Sequence, residues 1–173
     1  MAFTSGGESF GKVEQALAIE PYDAKQLSMS AVALSNQLQR VGDDPDTLDS
    51  ALLENKVPLV VQGMQITPSA SNHFKTSDKA AIYVEVYEPL LMQPKPPEVG
   101  LEIRILDRKS GAQKADFGYT NTGPSMHVGN PVIPVGMRLP LETLTPGDYR
   151  VELRAVDSAG GSTTPRAADF VVE

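Results

Sequence analysis

The stretch Leu144-Thr-Pro-Gly-Asp-Tyr149-Arg-Val-Glu-Leu-Arg-Ala-Val156-Asp-Ser-Ala-Gly160 decides the fold class of this chain. A Pro-Gly turn leads into a segment where Tyr149, Val151, Leu153 and Ala155 alternate with charged residues. Successive side chains of a β-strand point to opposite faces. The alternation therefore predicts a strand with one face in a core and the other in water.

The start of this strand also predicts how it is anchored. A tyrosine just after a tight turn can return its hydroxyl to nearby backbone, the tyrosine-corner arrangement of Greek-key sandwiches. Here the corner comprises Leu144, Pro146, Gly147 and Tyr149, with the hydroxyl expected to bond backbone near Leu144. The corner indicates an architecture and says nothing about chemistry.

Composition limits the classes of protein that fit. The chain has 173 residues, of which 40% are hydrophobic, and this is enough for one domain with its own core. It contains 14 glycines and 14 prolines, a content that favours many short strands joined by turns. It contains no cysteine, which excludes disulfides, thiolate metal sites and a cysteine nucleophile.

Charge makes nucleic acid an improbable partner. The formal net charge is -7, so the surface repels phosphate backbones and anionic membranes. No apolar run reaches the roughly 18 residues of a membrane span. The first residues also lack the basic start and apolar run of a signal peptide.

Other segments repeat the strand pattern. Residues 81–87 and 99–105 alternate cleanly, while 27–34 alternates with a change of face that predicts a bulge near Ala31. Hairpins are expected around Gln62-Gly63 and at 107–111. The inward side chains are expected to be Ile82, Val84, Val86, Val99, Leu101, Ile103 and Ile105.

We therefore predict an all-β fold: an immunoglobulin-like or fibronectin-like antiparallel β-sandwich with at most one or two short helices. Residues 1–11 are expected to be a flexible N-terminal extension, and residues 12–173 a single sandwich domain. The segment 37–56 is the least strand-like part and is expected to be a long excursion, with Asp46 capping a short helix.

Motifs that would carry chemistry are weak. Gly6–Lys12 begins like a phosphate-binding loop, but Val13 stands where such a loop needs Ser or Thr. The two histidines are far apart in sequence, so no zinc site is expected. An acidic loop lacks the calcium-loop spacing of an EF-hand, and a solvated turn is favoured over a calcium site there. Its residues are Asp43, Asp44, Asp46 and Asp49.

Two groups of residues are candidate partner surfaces. Tyr83 and Tyr87 share the outward face of one strand, where they would either stack a sugar or anchor a protein, or pack beneath a second layer. The loop 121–135 carries apolar residues among Gly and Pro: Met126, His127, Val128, Val132 and Ile133. These side chains would form an interaction surface or fold onto the core.

The order of several segments resembles the C-terminal region of acidobacterial von Willebrand factor A-related domain proteins. The resemblance covers roughly residues 13–173 and rests on structural motifs that recur in many immunoglobulin-like domains. The segments that carry it are Leu27–Ser35, Val60–Ser69, Phe74, Ile82–Pro89, Leu144-x-Pro-Gly-x-Tyr149, Ala155-x-Asp157 and Phe170–Val172.

In that family this region follows a metal-dependent adhesion domain of exported proteins, and the Asp-x-Ser-x-Ser motif of that domain is missing here. The resemblance thus implies an extracytoplasmic accessory domain with no transferred catalytic, cofactor or metal residue. We expect a non-catalytic interaction or spacer module that contacts another protein or a neighbouring domain. The alternative is a carbohydrate-binding module that uses the exposed tyrosines.

Overall fold

The computed structural model describes residues 2–5, 9–12, 25–41, 59–127 and 129–173. Within these ranges the chain forms strands and short 3₁₀ turns and contains no α-helix. The strands are β1 Ala2–Ser5, β2 Ser9–Lys12, β3 Ser28–Met29, β4 Ala33–Ser35, β5 Gln37–Arg40, β6 Leu59–Val61, β7 Met64–Thr67, β8 His73–Phe74, β9 Ala80–Tyr87, β10 Val99–Asp107, β11 Gln113–Asn121, β12 Val132–Leu139, β13 Gly147–Asp157 and β14 Arg166–Val172. The 3₁₀ turns are Pro89–Met92, Gly123–Ser125 and Leu141–Thr143.

Two sheets face each other across the main core. One has the order β11-β10-β13-β14-β8, and the other consists of β12, β9 and, on the far side of β9, β3 followed by β4. All of these pairings are antiparallel except that between β8 and β14. The structure therefore confirms the all-β prediction and a sandwich arrangement of its sheets.

The alternating residues build the core as expected. Every inward side chain predicted on β9, β10 and β13 is at most 2% exposed. They belong to a single apolar cluster that both sheets line. Burying a Val, Leu or Ile side chain stabilises a fold by about 1.5–3 kcal/mol, so the inward faces of these three strands stabilise the sandwich.

The strand predicted over residues 27–34 is divided into β3 and β4 at the position of the predicted bulge. Met29 pairs with Val86 and Ala33 with Tyr83. The first segment therefore has one residue more than β9 between these two pairs. Ser30 occupies the break; its N–H donates to the Glu85 carbonyl and its Oγ accepts from the Glu85 N–H, both at 2.9 Å. The extra residue lets both Met29 and Leu34 reach the core.

Strands were not predicted in the N-terminal segment or at the start of 37–56. Strands β1 and β2 pair in antiparallel register from Ala2 with Lys12 to Ser5 with Ser9, where a loose end was expected. The segment 37–56 likewise begins as a strand, because β5 pairs along its length with β7. The helix expected at Asp46 and the acidic loop at 43–49 lie outside the described residues.

The tyrosine corner forms where the sequence placed it. The Tyr149 hydroxyl donates to the Thr145 carbonyl at 2.7 Å, one residue beyond Leu144, and lies 3.2 Å from the Thr145 hydroxyl. The Tyr149 ring is buried and stacks on Phe170 with 5.6 Å between ring centroids. The corner thus ties the turn before β13 to the core.

Replacing Tyr149 with phenylalanine is expected to lower the free energy of unfolding by about 1 kcal/mol or slightly more. The ring packing is retained, but the part-buried hydrogen bond to the Thr145 carbonyl is lost, and the carbonyl must take its donor from water. Urea denaturation with unchanged m-value measures the difference. Thr145→Val, which leaves the backbone bond intact, is the control and should have a smaller effect. An unchanged midpoint for Tyr149→Phe would contradict the corner.

Candidate functional site

Tyr83 does not lie on an open surface. Strands β5, β7 and β6 form a small third sheet that covers the outer face of β9. Tyr83 is 4% exposed and packs in a second apolar cluster with Val61 and Ile66, with Ala33 and Leu59 at its margin. The expectation of an exposed Tyr83 was therefore wrong, and the alternative of packing beneath a second layer is confirmed for this residue.

The predicted tyrosine pair is held by a carboxylate. The hydroxyls of Tyr83 and Tyr87 donate to opposite oxygens of Glu85, at 2.8 and 2.5 Å. Burial, followed by the bond to Glu85, raises the pKa of Tyr83 well above its usual range. Tyr87 is half-buried. Glu85 and Arg104 lie on different sheets, and Arg104 pairs with Glu152.

The 121–135 loop presents fewer apolar groups than expected. Ile133 is fully buried in the main core as part of β12, so its proposed surface role is wrong. Val132 is half-buried opposite Tyr87. Met126 packs partly against the core, and His127 is exposed. Val128 lies outside the described residues.

A different surface has the geometry of a binding site. The outer face of the five-stranded sheet contains a groove of about 410 Å³ that crosses β11, β10 and β13. Its lining combines one aromatic ring with charged and amide side chains. The polar and aromatic residues that line it are Glu102, Arg104, Gln113, Asp116, Tyr119, Glu152 and Arg154.

Tyr119 is the aromatic ring of this groove, and it is 52% exposed. The ring lies over Gly100: a Cβ built there would be 2.3 Å from the Tyr119 Cε2 atom. The missing side chain of Gly100 thus leaves room for the ring to rest on strand β10, and this contact restricts its movement. The result is an aromatic platform that faces solvent.

Two rows of charged residues lie beside the Tyr119 ring, at the next two outward positions of β10 after Gly100. Register places Glu102 beside both Tyr119 and Arg154, and Arg104 beside both Asp116 and Glu152. Arg154 donates through Nε and Nη2 to Glu102 at 3.0 and 2.6 Å, and Arg104 does the same to Glu152 at 2.9 and 2.7 Å. Such exposed pairs add little stability, about 0–1 kcal/mol, but they fix the orientation of planar groups.

A bulge in β11 determines which of its side chains line the groove. Glu102 pairs with Tyr119, but Arg104 pairs with Asp116, so one extra residue is accommodated between them. Gly118 has a φ of 58° and donates its N–H to Asp116 at 2.8 Å. The bulge keeps both Asp116 and Tyr119 on the outer face.

A second polar group lies at one end of the sandwich. Glu88 follows β9 and is 1% exposed, and Asp157 ends β13 on the facing sheet. Both line a recess of about 290 Å³. Burial raises the pKa of Glu88, and Asp157 raises it further, whereas the N–H of Leu90 has the opposite effect.

The histidines and carboxylates of the described residues do not assemble into a metal-binding group. No group of three or more His, Asp or Glu side chains there is placed to hold a metal ion. His73 lies in β8 and bonds the exposed Glu173 at 3.0 Å, whereas His127 lies in the loop after the Gly123–Ser125 turn. In the described ranges no helix has the length and apolar character needed to cross a bilayer.

The groove could be predicted only in part. Glu102, Arg104 and Arg154 were expected to face outward, and they do. Tyr119 was missed because the bulge at Gly118 shifts the alternation of β11. The contact between Tyr119 and Gly100 could not be predicted from a local pattern, because the two residues lie on different strands.

Comparisons with known proteins leave the family open. No family model and no curated protein matches the chain. Among solved structures, it is similar to a family 123 glycoside hydrolase from Clostridium perfringens, studied for hydrolysis of glycolipid glycans, with 8% identity and a TM-score of 0.36. The match covers 86% of this chain and 27% of the hydrolase, so the chain spans about a quarter of that protein.

Proposed function

We propose that this chain is a non-catalytic binding module with an immunoglobulin-like sandwich as its scaffold. The strand order supports the scaffold: the first, second and fifth main strands form one sheet (β3/β4, β9, β12), and the others form the second (β10, β11, β13, β14). This division and the corner at Tyr149 agree with the Greek-key arrangement of such domains. The parallel pairing of β8 with β14 adds one edge strand.

The ligand surface is the groove on the outer face of the five-stranded sheet, and the ligand class it fits best is carbohydrate. The observation that carries this proposal is the exposed Tyr119 ring resting on Gly100 beside two fixed ion pairs. Sugars offer an apolar C–H face to an aromatic ring and hydroxyls to planar charged groups. A ring already fixed in place loses little entropy on binding.

A protein partner or neighbouring domain is the second candidate. On the same sheet, three arginines each donate two hydrogen bonds to a carboxylate: Arg104 to Glu152, Arg154 to Glu102, and Arg150 to Asp169. A protein interface buries about 800 Å² on each partner. An interface of this size would extend beyond the groove and include the Arg150–Asp169 pair. The resemblance to accessory regions of exported proteins is consistent with either candidate.

Replacing Tyr119 with alanine is expected to weaken binding of an oligosaccharide ligand at least tenfold, a change of about 1.4 kcal/mol. Affinity gel electrophoresis against a panel of soluble polysaccharides identifies the ligand, and calorimetry gives the affinities. Tyr119→Phe retains the ring and should retain most of the affinity. Met92, which is 59% exposed on a separate 3₁₀ turn, supplies the matched control Met92→Ala.

Two results would contradict the carbohydrate proposal. Equal retardation of the wild type and Tyr119→Ala would show that the groove is not the binding site. No retardation by any polysaccharide, combined with capture of a protein that Arg150→Glu abolishes, would favour the protein partner instead. The fold of each variant is verified by its denaturation midpoint.

A further inference from the structure

The Glu88 carboxyl group is buried where strand β9 ends. The residue is 1% exposed, and its Oε1 accepts a hydrogen bond from the Leu90 N–H at 2.8 Å. Its own N–H donates to the Pro131 carbonyl at 2.8 Å, which fixes the backbone at this point. Its Oε2 is also buried, and no N–H or hydroxyl group of the described residues donates to it. A buried carboxylate oxygen without a donor is destabilising, so the charged form of Glu88 is disfavoured here.

Asp157 is the carboxyl group that neighbours Glu88. It ends β13 on the facing sheet, and the two side chains line the same recess and hydrogen-bond to each other. The Asp157 Oδ1 atom accepts from the N–H groups of Ala159 at 2.7 Å and Gly161 at 2.9 Å. An ionised carboxylate is only an acceptor, so two carboxyl groups can form a hydrogen bond only when one of them carries a proton. The pairing of these two side chains therefore requires a proton between the sheets.

The charges around the pair agree with one shared proton. Among the described residues, the charged groups that line the recess are Lys25, Glu88 and Asp157, whereas the nearby Glu98 is exposed outside it. With one proton, the carboxyl pair keeps a single negative charge, and the Lys25 ammonium group balances that charge at the recess. Burial and the neighbouring Asp157 raise the pKa of Glu88, while the bond from the Leu90 N–H acts in the opposite direction.

We propose that Glu88 and Asp157 share a proton at pH values where an ordinary glutamate is ionised, and that they act as a pH-sensitive latch between the two sheets. While the proton is held, a hydrogen bond joins the end of β9 to the end of β13. When the proton is lost, two negative charges face each other in a poorly solvated recess and repel. The Glu88–Asp157 latch is independent of the groove around Tyr119.

The raised pKa of Glu88 sets the sign of the pH dependence. Below its ordinary value of 4.5, the folded and unfolded chains both carry the proton, and the stability that the latch contributes is complete. As the pH rises above 4.5, the unfolded chain releases its proton while the folded chain still holds it. The contribution therefore falls until the pH passes the raised pKa of the folded chain.

The test is the melting temperature of the wild type and Glu88→Gln between pH 4 and pH 8 at constant ionic strength. In this variant Oε1 can still accept from the Leu90 N–H, and the amide nitrogen donates permanently to Asp157. The melting temperature of Glu88→Gln relative to the wild type should therefore rise by about 4 °C or more between pH 4 and pH 7.5.

Two further variants separate the latch from a change in net charge. Asp157→Asn keeps the Oδ1 that accepts from backbone and offers an amide N–H to Glu88 Oε2, so it should lose the pH dependence in the same way. Glu98→Gln removes one exposed carboxylate beside the turn after β13 and should keep the pH dependence of the wild type. Loss of the dependence in Glu98→Gln as well would indicate a general charge effect and would count against the latch.

Three results would overturn the proposal. A difference between the wild type and Glu88→Gln that does not vary with pH would show that Glu88 holds no proton above its ordinary range. A Glu88→Gln variant that melts below the wild type at pH 7.5 would show that Glu88 is ionised and stabilised by Lys25 instead. Carbon-13 NMR of glutamate-labelled wild type follows the Glu88 carboxyl carbon directly, without any variant, and a titration midpoint at or below pH 4.5 would also overturn it.

Discussion

Replacing Phe170 with alanine is expected to lower the free energy of unfolding by about 3–5 kcal/mol, the usual range for removing a large aromatic side chain from a core. Phe170 is 2% exposed and packs between two other rings. Its centroid is 5.6 Å from that of Tyr149 and 6.5 Å from that of Phe74. The substitution therefore leaves a cavity and removes the surface on which the corner tyrosine stacks.

Urea unfolding monitored by circular dichroism measures this loss. Val171→Ala is the neighbouring control: Val171 is half-buried on the same strand and should cost less than about 1.5 kcal/mol. A loss below about 1.5 kcal/mol for Phe170→Ala would mean that the core relaxes around the site and that Phe170 is not central to it. The two variants together separate loss of core volume from damage to strand β14.

Replacing Gly136 with alanine is expected to destabilise the chain by about 1–3 kcal/mol through overpacking. Gly136 lies opposite Tyr83 in the pairing of β12 with β9. A Cβ at this position would be 2.4 Å from the Cγ1 atom of Val61, in the small sheet that covers Tyr83. Val61 is β-branched and buried, so it cannot swing aside as a long side chain would. The small sheet must shift outward.

A double-mutant cycle with Val61→Ala checks the cause. Removing the Cγ atoms of Val61 should make room for the new methyl group, so the double variant should lose less stability than the two single losses added together. Additive losses would contradict the contact and would point to a backbone preference for glycine at 136. Chemical denaturation supplies all four free energies.

The described strands of the sandwich could largely be predicted, because their signal is local. The alternation in 81–87, 99–105 and 149–155 identified the residues that face the main core. The turn before Tyr149 predicted both the start of β13 and the hydrogen bond that anchors it. Even the interruption near Ala31 left a trace, as a change of face within 27–34.

The candidate sites were harder to predict, because each depends on residues far apart in sequence. Tyr83 and Tyr119 both point outward from their own sheets, and the local sequence does not tell a covered ring from an exposed one. The small third sheet covers Tyr83, whereas Tyr119 stays exposed on Gly100. Glu88 and Asp157 meet only because β9 and β13 end at the same side of the sandwich.

The sequence by itself determined which segments become strands, which faces they bury and where the corner turns. A repeat of two residues is imposed by the geometry of a single strand, so it can be seen without knowing any neighbour. Tertiary structure alone decided which outward faces are covered and which carboxylates converge. Those outcomes depend on how strands from distant parts of the chain pair and stack, and a local repeat carries no information about its partner.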